Sequence, residues 1–533
     1  METMTNKVVK GAVVLTVAGL ISKVLSALYR IPLQNLTGDL GFYIYQQVYP
    51  IIGTVIILTL YGFPVAISRL TAESIQENKP MTFTHFYFPL FIILWVINLF
   101  FFTFVYFASP IIADMIGDKQ LEKAFQLAAF LFLLIPFLAL MRGVLQGHEE
   151  MKQTAYSQVI EQVFRVTIIV TVAYFIFTGR LELYRIGEAG VLATMLGMIV
   201  AILYLSIIYW KRYKRKEVMK DVLIPWRYYF YVCLSIGFVA SLNHMILLLI
   251  QFADVLTLVP NLVEYGLSPV QAMETKGIFD RAQPLIQFGI VFGSSFALAL
   301  VPAVVREKDK QREKHMYPFI QEAIAVSLYI AFGATVGLII LLPETNILLF
   351  TNTDGTRSIQ IMVLSILLTS ITITACAVLQ GINHIKQPII WIALAFFIKL
   401  VLNELLVPVW GIEGSAIATV ISLVLLCLLI LSTLHKKLPG VSLFKLVKWK
   451  AFFIANSGMT VYLLLVKFLF TTMGELSRLQ MAFYVLFLVC SGAFIYLLIL
   501  LRYQAFTKNQ LQALPFSSKI MQLERFVGRK LDR

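Results

Sequence analysis

The chain has 533 residues, of which 59% are hydrophobic and only 14% charged, with a mean hydropathy of +0.83. A water-soluble protein of this length needs a charged coat, so the composition excludes that class. A net charge of +15 would suit a nucleic-acid binder, but its distribution along the chain assigns it otherwise.

Apolar runs of about 20 residues recur from end to end, each able to cross a hydrocarbon core of roughly 30 Å. Alternating-strand patterns of the outer-membrane barrel type are absent. The pattern predicts an all-α polytopic membrane protein with fourteen spans, near 10–33, 41–69, 83–109, 121–146, 155–178, 188–210, 227–256, 277–304, 318–342, 358–382, 387–408, 412–435, 449–471 and 479–502. Lys7 and Lys10 before the first run give it a signal-peptide look. Lys23 interrupts it and no small-residue cleavage site follows, so it reads as a retained span. The longest links are a basic one at 211–226, an outer one at 257–276 and the tail from Tyr503.

Lysine and arginine orient the spans. With the N-terminus inside, cytoplasmic segments collect 31 of the 44 basic residues, including Arg142 and Lys152 and the clusters in 211–227, 306–314, 436–450 and the tail. The opposite side holds 7, among them Lys119, Arg180 and Lys276. Both termini are therefore expected in the cytoplasm of a plasma-membrane protein. Topology and anionic lipid account for the basic loops without nucleic acid. Cys233, Cys376, Cys427 and Cys490 stand singly in apolar segments, and the six histidines lack ligand spacing, so no metal or cofactor is expected.

Val144–Gly147 and Val378–Gly381 both read Val-Leu-Gln-Gly, 234 positions apart. At the same offset Lys152-Gln153 matches Lys386-Gln387, Arg165 matches Lys399 and Pro50 matches Pro284. The shared offset predicts two parallel six-helix repeats, an N-terminal lobe at 1–216 and a C-terminal lobe at 217–440. Two further spans at 441–502 and a basic cytoplasmic tail at 503–533 follow. An even number of helices per copy gives both copies one orientation, with the substrate path between them.

Polar residues at helical spacing mark a wet interior. The first span offers Lys23, Ser26, Arg30 and Gln34; the fifth offers Gln158, Glu161, Gln162 and Arg165. The seventh offers His244, Gln251 and Asp254; the eighth offers Asp280, Gln283 and Gln287, with Arg281 on the next flank; the eleventh offers Lys399, Asn403 and Glu404. Glu161 and Arg165, four apart, can neutralise each other. Asp280 and Arg281, being adjacent, cannot, so each needs another partner. Lys467 lies near a helix end and can snorkel. Lys23, Arg30, Arg165, Arg281 and Lys399 outnumber Glu161, Asp280 and Glu404. A cationic interior selects an anionic cargo, and arginine suits phosphate or pyrophosphate through its forked donors.

Several motifs resemble the SpoVB/MurJ-type polysaccharide transporters of the multidrug/oligosaccharidyl-lipid/polysaccharide superfamily. They are Gly19–Pro32, Gly38–Tyr43, Gly62–Arg69, Leu145–Gly147, Phe279–Arg281 and Leu300–Pro302. The resemblance covers nearly the whole chain and implies a MATE/MurJ-like fold. It implies a flippase for an undecaprenyl-pyrophosphate-linked glycan such as lipid II, with Lys23, Arg30, Asp280 and Arg281 at a central cavity and the last two spans forming a groove for the lipid tail. It also implies cell-wall synthesis machinery as a partner. The sequence departs from the family pattern at Pro284, where some members carry an acid, and at Lys399, Asn403 and Thr419, where some bind sodium. A lysine there argues against a bound sodium. Two other classes compete: a cation or drug antiporter, and a membrane glycan polymerase or scaffold. The basic excess opposes the first, and the lack of a catalytic constellation opposes an enzyme.

Overall fold

The computed structural model describes residues 2–79, 81–212, 224–309, 313–384, 386–442, 444–470, 477–513 and 517–528. The basic clusters expected at 211–227 and 306–314 and in the tail fall partly outside these residues. Among the described residues the regular structure is helical throughout. Eleven stretches among them are long and apolar enough to cross a membrane. Two of the eleven, Val17–Gln76 and Gln387–Lys437, run to 60 and 51 residues, more than twice the length one crossing needs.

The chain packs as two compact units, 1–280 with 403–411 and 281–402 with 412–533. The first holds α1 (Glu2–Leu28), α2 (Arg30–Ile57), a π-helical turn Leu58–Gly62 and α3 (Phe63–Gln76). It continues through α4 (Phe88–Ile116), α5 (Glu122–Gly147), α6 (Met151–Phe177) and α7 (Arg185–Arg212). It ends with α8 (Trp226–Val232), a π-helical segment Cys233–Phe238, α9 (Val239–His244), α10 (Ile246–Glu264) and α11 (Pro269–Asp280). Lipid tails are as apolar as leucine, so helices here associate by close approach over small residues. A Cβ on Gly197 would lie 2.7 Å from the Glu161 carbonyl, and one on Gly277 would lie 2.1 Å from the Asp39 carbonyl. These contacts seat α7 on α6 and α11 on α2. Gly38, at φ 70°, breaks α2 near its start, where the first two expected spans part.

The second unit holds α12 (Ala282–Leu298), α13 (Val301–Asp309), α14 (Glu313–Phe350), α15 (Thr356–Gly381) and most of α16 (Gln387–Lys437). It closes with α17 (Trp449–Phe470), α18 (Arg478–Arg502), α19 (Lys508–Ala513) and α20 (Ser517–Gly528). Gly411, at φ 56°, breaks α16 between the expected eleventh and twelfth spans. An aromatic core of Tyr329, Phe452, Tyr496 and Phe506 joins α14 to α17 and α18. Lys467 pairs with Glu344 at 2.8 Å and donates to the Ile340 carbonyl at 2.8 Å. Thr507 and Gln510 clasp Glu322 and fasten the start of the tail to α14.

Two expected elements differ. The eighth span, read as continuous over 277–304, is three helices parting at Arg281 and again at Ala299–Leu300. Pro284 and Pro302 are the cause, since a proline leaves the carbonyl four residues back without its helical donor. Those carbonyls belong to Asp280 and Leu298, the last residues of α11 and α12. The outer link expected at 257–276 is mostly the end of α10 and the start of α11, which leaves only Tyr265–Ser268 as connection.

Two helices, one in each unit, end alike. In α5 the amides of His148, Glu149 and Glu150 donate to Val144, Gln146 and Leu145 at 3.0, 3.0 and 2.8 Å. In α15 those of Ile382, Asn383 and His384 donate to Val378, Gln380 and Leu379 at the same three distances. Glu149 and Asn383 are both left-handed, at φ 62° and 63°. These are Schellman-type ends, which satisfy carbonyls that a helix terminus orphans.

Candidate substrate site

Glu161 and Arg165 are not each other's partners. Glu161 binds Arg142 at 2.7 Å, with both side chains almost wholly buried. Arg142 also donates to Ser157 Oγ at 3.0 Å and to the Thr59 carbonyl in the first π-turn at 3.3 Å. Its place in the sequence, near the end of an apolar run, marks it as a link charge; in the fold it is an interior one. Asp280 finds its partner in Lys276, one helical turn back on α11, with both carboxylate oxygens 2.6 Å from the ammonium. Lys276, read as an outer-side charge, is buried. The i,i+4 spacing of Lys276 and Asp280 was the signal for it.

With both acids engaged, the remaining cations of the first unit stand out. Arg30 is fully buried among the phenols of Tyr29, Tyr45 and Tyr49, and none of its three guanidinium nitrogens makes a hydrogen bond of full geometry. The guanidinium lies 3.9 Å from the centre of the Tyr49 ring. Arg165, 3% exposed, donates one nitrogen to Gln162 and leaves Nε and Nη1 without partners. The charges of both arginines reach the Tyr45 and Tyr49 phenols, which places them in one neighbourhood. Lys23 differs from Arg30 in being exposed, and its ammonium sits 5.9 Å from the centre of the Tyr61 ring.

Asp254 accepts from Asn403 at 2.9 Å, and Thr257 accepts from the same amide at 2.8 Å. Glu404, next in sequence, is exposed. In the second unit Arg281 donates to Asn352 Oδ1 at 2.6 Å and lies 5.3 Å from the centre of the Phe350 ring. Lys399 donates to the Ser415 carbonyl, Ser415 Oγ and Thr419 Oγ1 at 2.7, 2.9 and 2.7 Å. An ammonium has three donors, so Lys399 is held by its own helix. The fold thus gathers Arg30 and Arg165 as open donors, binds Glu161 and Asp280 into ion pairs, and sets Arg281 and Lys399 in the other unit.

A model of the polysaccharide biosynthesis protein family matches residues 8–306, and one of the MatE family matches residues 277–405. The chain belongs to the polysaccharide biosynthesis protein family. It is 35% identical to the uncharacterized membrane protein YabM of Bacillus subtilis, over 97% of this chain and 96% of that one. It is 24% identical to the lipid II flippase MurJ of the same organism, over 78% of this chain and 80% of that one. A solved structure of lipid II flippase MurJ in an inward closed conformation superposes with a TM-score of 0.65 at 14% identity, over 91% of this chain and 98% of that one. These likenesses, with the apolar helices, make the chain a multi-pass membrane protein of the flippase and transporter superfamily that also contains the MATE proteins.

Proposed function

We propose that the chain flips a polyprenyl-pyrophosphate-linked glycan, lipid II or a related cell-wall precursor, from the inner to the outer leaflet. One observation carries the reading. Arg30 is wholly buried, its nearest polar neighbours are neutral phenols, and none of its guanidinium nitrogens makes a hydrogen bond of full geometry. A charge at the centre of a membrane helix costs about 2.5–3.5 kcal/mol even on the mildest scale, and a buried guanidinium needs a partner for the same reason. Each buried donor left unmade costs about 1–3 kcal/mol more. A pyrophosphate entering between Arg30 and Arg165 supplies acceptors to both. Lys23, Asp280 and Glu161 complete the proposed lining in the first unit, and Arg281 of the second unit is proposed to serve the same cargo. The relatives' printed activity, lipid II flipping in MurJ, fits the same chemistry.

In this reading the long stretches Val17–Gln76 and Gln387–Lys437 each cross twice, and α11–α12 add one crossing, for fourteen spans with both termini inside. The matched ends of α5 and α15 support two six-helix copies. The copies rock about the site while the polyprenyl tail stays in lipid, and no covalent step is needed. A cation antiporter would want carboxylates free for its cargo, whereas Glu161 and Asp280 are engaged by Arg142 and Lys276.

Reconstitution into vesicles with a lipid-linked glycan, scored by leaflet accessibility, tests the proposal. Arg30→Ala is expected to abolish flipping while insertion and folding in the membrane persist, and Arg30→Lys is expected to retain a fraction. Full activity of Arg30→Ala overturns it.

A further inference from the structure

Three observations in the first unit converge on a second subsite. The π-helical turn Leu58–Gly62 carries Tyr61, whose ring stacks on His244 with centroids 4.6 Å apart and planes 22° from parallel. His244 ends α9, just beyond the π-helical segment Cys233–Phe238. The two irregular segments meet through glycine: a Cβ on Gly62 would lie 3.2 Å from the Gly237 carbonyl and 3.1 Å from Ser241 Cβ. π-turns are rare and concentrate at functional sites. Here a pair of them fixes one aromatic stack.

Lys23 reaches over Tyr61, and Lys23 and His244 are both exposed. The exposed apolar face of α1 runs through Val17, Leu20, Ile21 and Leu28. At about 100° per residue, Lys23 points some 120° away from the middle of that face. The ammonium therefore opens to a different environment from the lipid-facing side chains. Tyr61 Oη and Gln158 Nε2 both border Gly19, which places an amide at the phenol end of the stack.

The spacing supplies the third observation. Lys23 precedes Arg30 by seven residues, and Gln158 precedes Arg165 by seven. Both steps correspond to about 10 Å of helix. α1 and α6 pack together, so the open arginines and the aromatic stack lie at two ends of one polar strip.

We propose that Tyr61, His244 and Lys23 form a saccharide platform for a sugar carried by the anionic headgroup at Arg30 and Arg165. This rests on the function proposed above. A pyranose ring presents a face of polarised C–H bonds to the electron-rich face of an aromatic ring. Lys23 and Gln158 supply donors for its oxygens, the few placed polar groups that fix orientation in an otherwise apolar site. The separation of about 10 Å leaves room for a pyrophosphate at one end and the attached sugars at the other.

The test measures binding to purified protein in nanodiscs with two probes, polyprenyl pyrophosphate bearing a single amino sugar and bare polyprenyl pyrophosphate. The wild type is expected to prefer the glycosylated probe. His244→Leu and Tyr61→Leu are expected to cut that preference about fivefold, and His244→Phe and Tyr61→Phe to preserve it. His244 is exposed, so its leucine variant tests the platform even where that of Tyr61 fails to fold. A preference unmoved by His244→Leu, or lost equally in His244→Phe, overturns the platform. A wild type that binds both probes equally overturns the platform alone. A wild type that binds neither overturns the headgroup reading with it.

Discussion

Residues 116–150 and 350–384 share a frame and differ in chemistry. α4 and α14 end at Ile116 and Phe350, and a left-handed residue follows each, Gly117 at φ 80° and Thr351 at φ 68°. Next come Asp118 and Asn352, whose Oδ1 atoms accept from the amides of Gln120 and Asp354 at 3.1 and 3.2 Å. α5 and α15 then close with the same hydrogen bonds. Gly147 faces Thr71 and Gly381 faces Val305, and those partners are again 234 apart. The ionisable groups are not shared. Arg142 in the first region, and Glu161 on the helix after it, are followed 234 positions on by Cys376 and Ala395. Arg165 has two open nitrogens, while the corresponding Lys399 is held by Ser415 and Thr419. A backbone frame tolerates repetition because its hydrogen bonds are made by any sequence that keeps the turn. A buried charge is kept only where a partner or a ligand meets it.

The widest difference is the Arg142–Glu161 pair. Glu161→Ala leaves a buried guanidinium without its counter-charge and is expected to lower stability by about 3–5 kcal/mol. Adding Arg142→Cys, so that both positions carry the residues found 234 positions on, is expected to recover part of the loss. Thermal midpoints in detergent compare the single and double variants. A single variant as stable as the wild type would remove the pair from the account of the first unit.

The glycines at the matched helix ends rank next. A Cβ on Gly147 would sit 2.4 Å from Thr71 Cβ and 2.9 Å from the Ser68 carbonyl, and backbone cannot give way cheaply. One on Gly381 would meet Val305 Cγ2 at 3.0 Å. Gly147→Ala is expected to cost about 2 kcal/mol and Gly381→Ala less than half of that, read by the same midpoints. Equal losses would mean that the two packings are more alike than their distances.

Asp118 and Asn352 can also be exchanged. Asn352 is the acceptor for Arg281 at 2.6 Å. Asn352→Asp installs the first region's residue and gives Arg281 a counter-charge. If Arg281 serves an anionic cargo, flipping is expected to fall about tenfold, which is about 1.4 kcal/mol. Unchanged flux would show that Arg281 does not serve the cargo.

Much of this frame was legible in sequence because helix ends have strong local signatures. Leu-Gln-Gly at both ends and the paired Pro50 and Pro284 carried the offset without any fold. Partner choice was not legible. Glu161 has Arg165 four residues away, yet it pairs with Arg142 on another helix, and only packing decides between them. Lys276 was misplaced for the opposite reason: its link was too short to be a link, and its spacing to Asp280 was the better guide. The π-turn at Leu58–Gly62 leaves no mark on hydropathy, since one extra residue in an apolar helix reads as apolar helix. Tyr61 and His244 therefore came together only in the fold.

The smallest expected effect concerns Asp118 itself. It lies in the connection after α4, and Tyr184 donates to it at 2.9 Å. Burial pushes its carboxyl above the usual carboxylate range, and the bonds from Tyr184, the Gln120 amide and Tyr43 oppose that rise without cancelling it. A raised value in the fold means that the protonated form is the stabilising one. The contribution is complete below the unfolded value, near about 3.9, and is lost as pH rises through the folded value. Asn352 has no such titration. Asp118→Asn, which keeps the cap to Gln120, is therefore expected to remove a slope: the wild type loses stability relative to the variant as pH rises from the carboxylate range toward neutrality. Midpoints of both proteins across that range read the difference directly. Parallel curves would show that the Tyr184 and Gln120 bonds stabilise the carboxylate as fully as water does, and that the acid at 118 and the amide at 352 are equivalent caps.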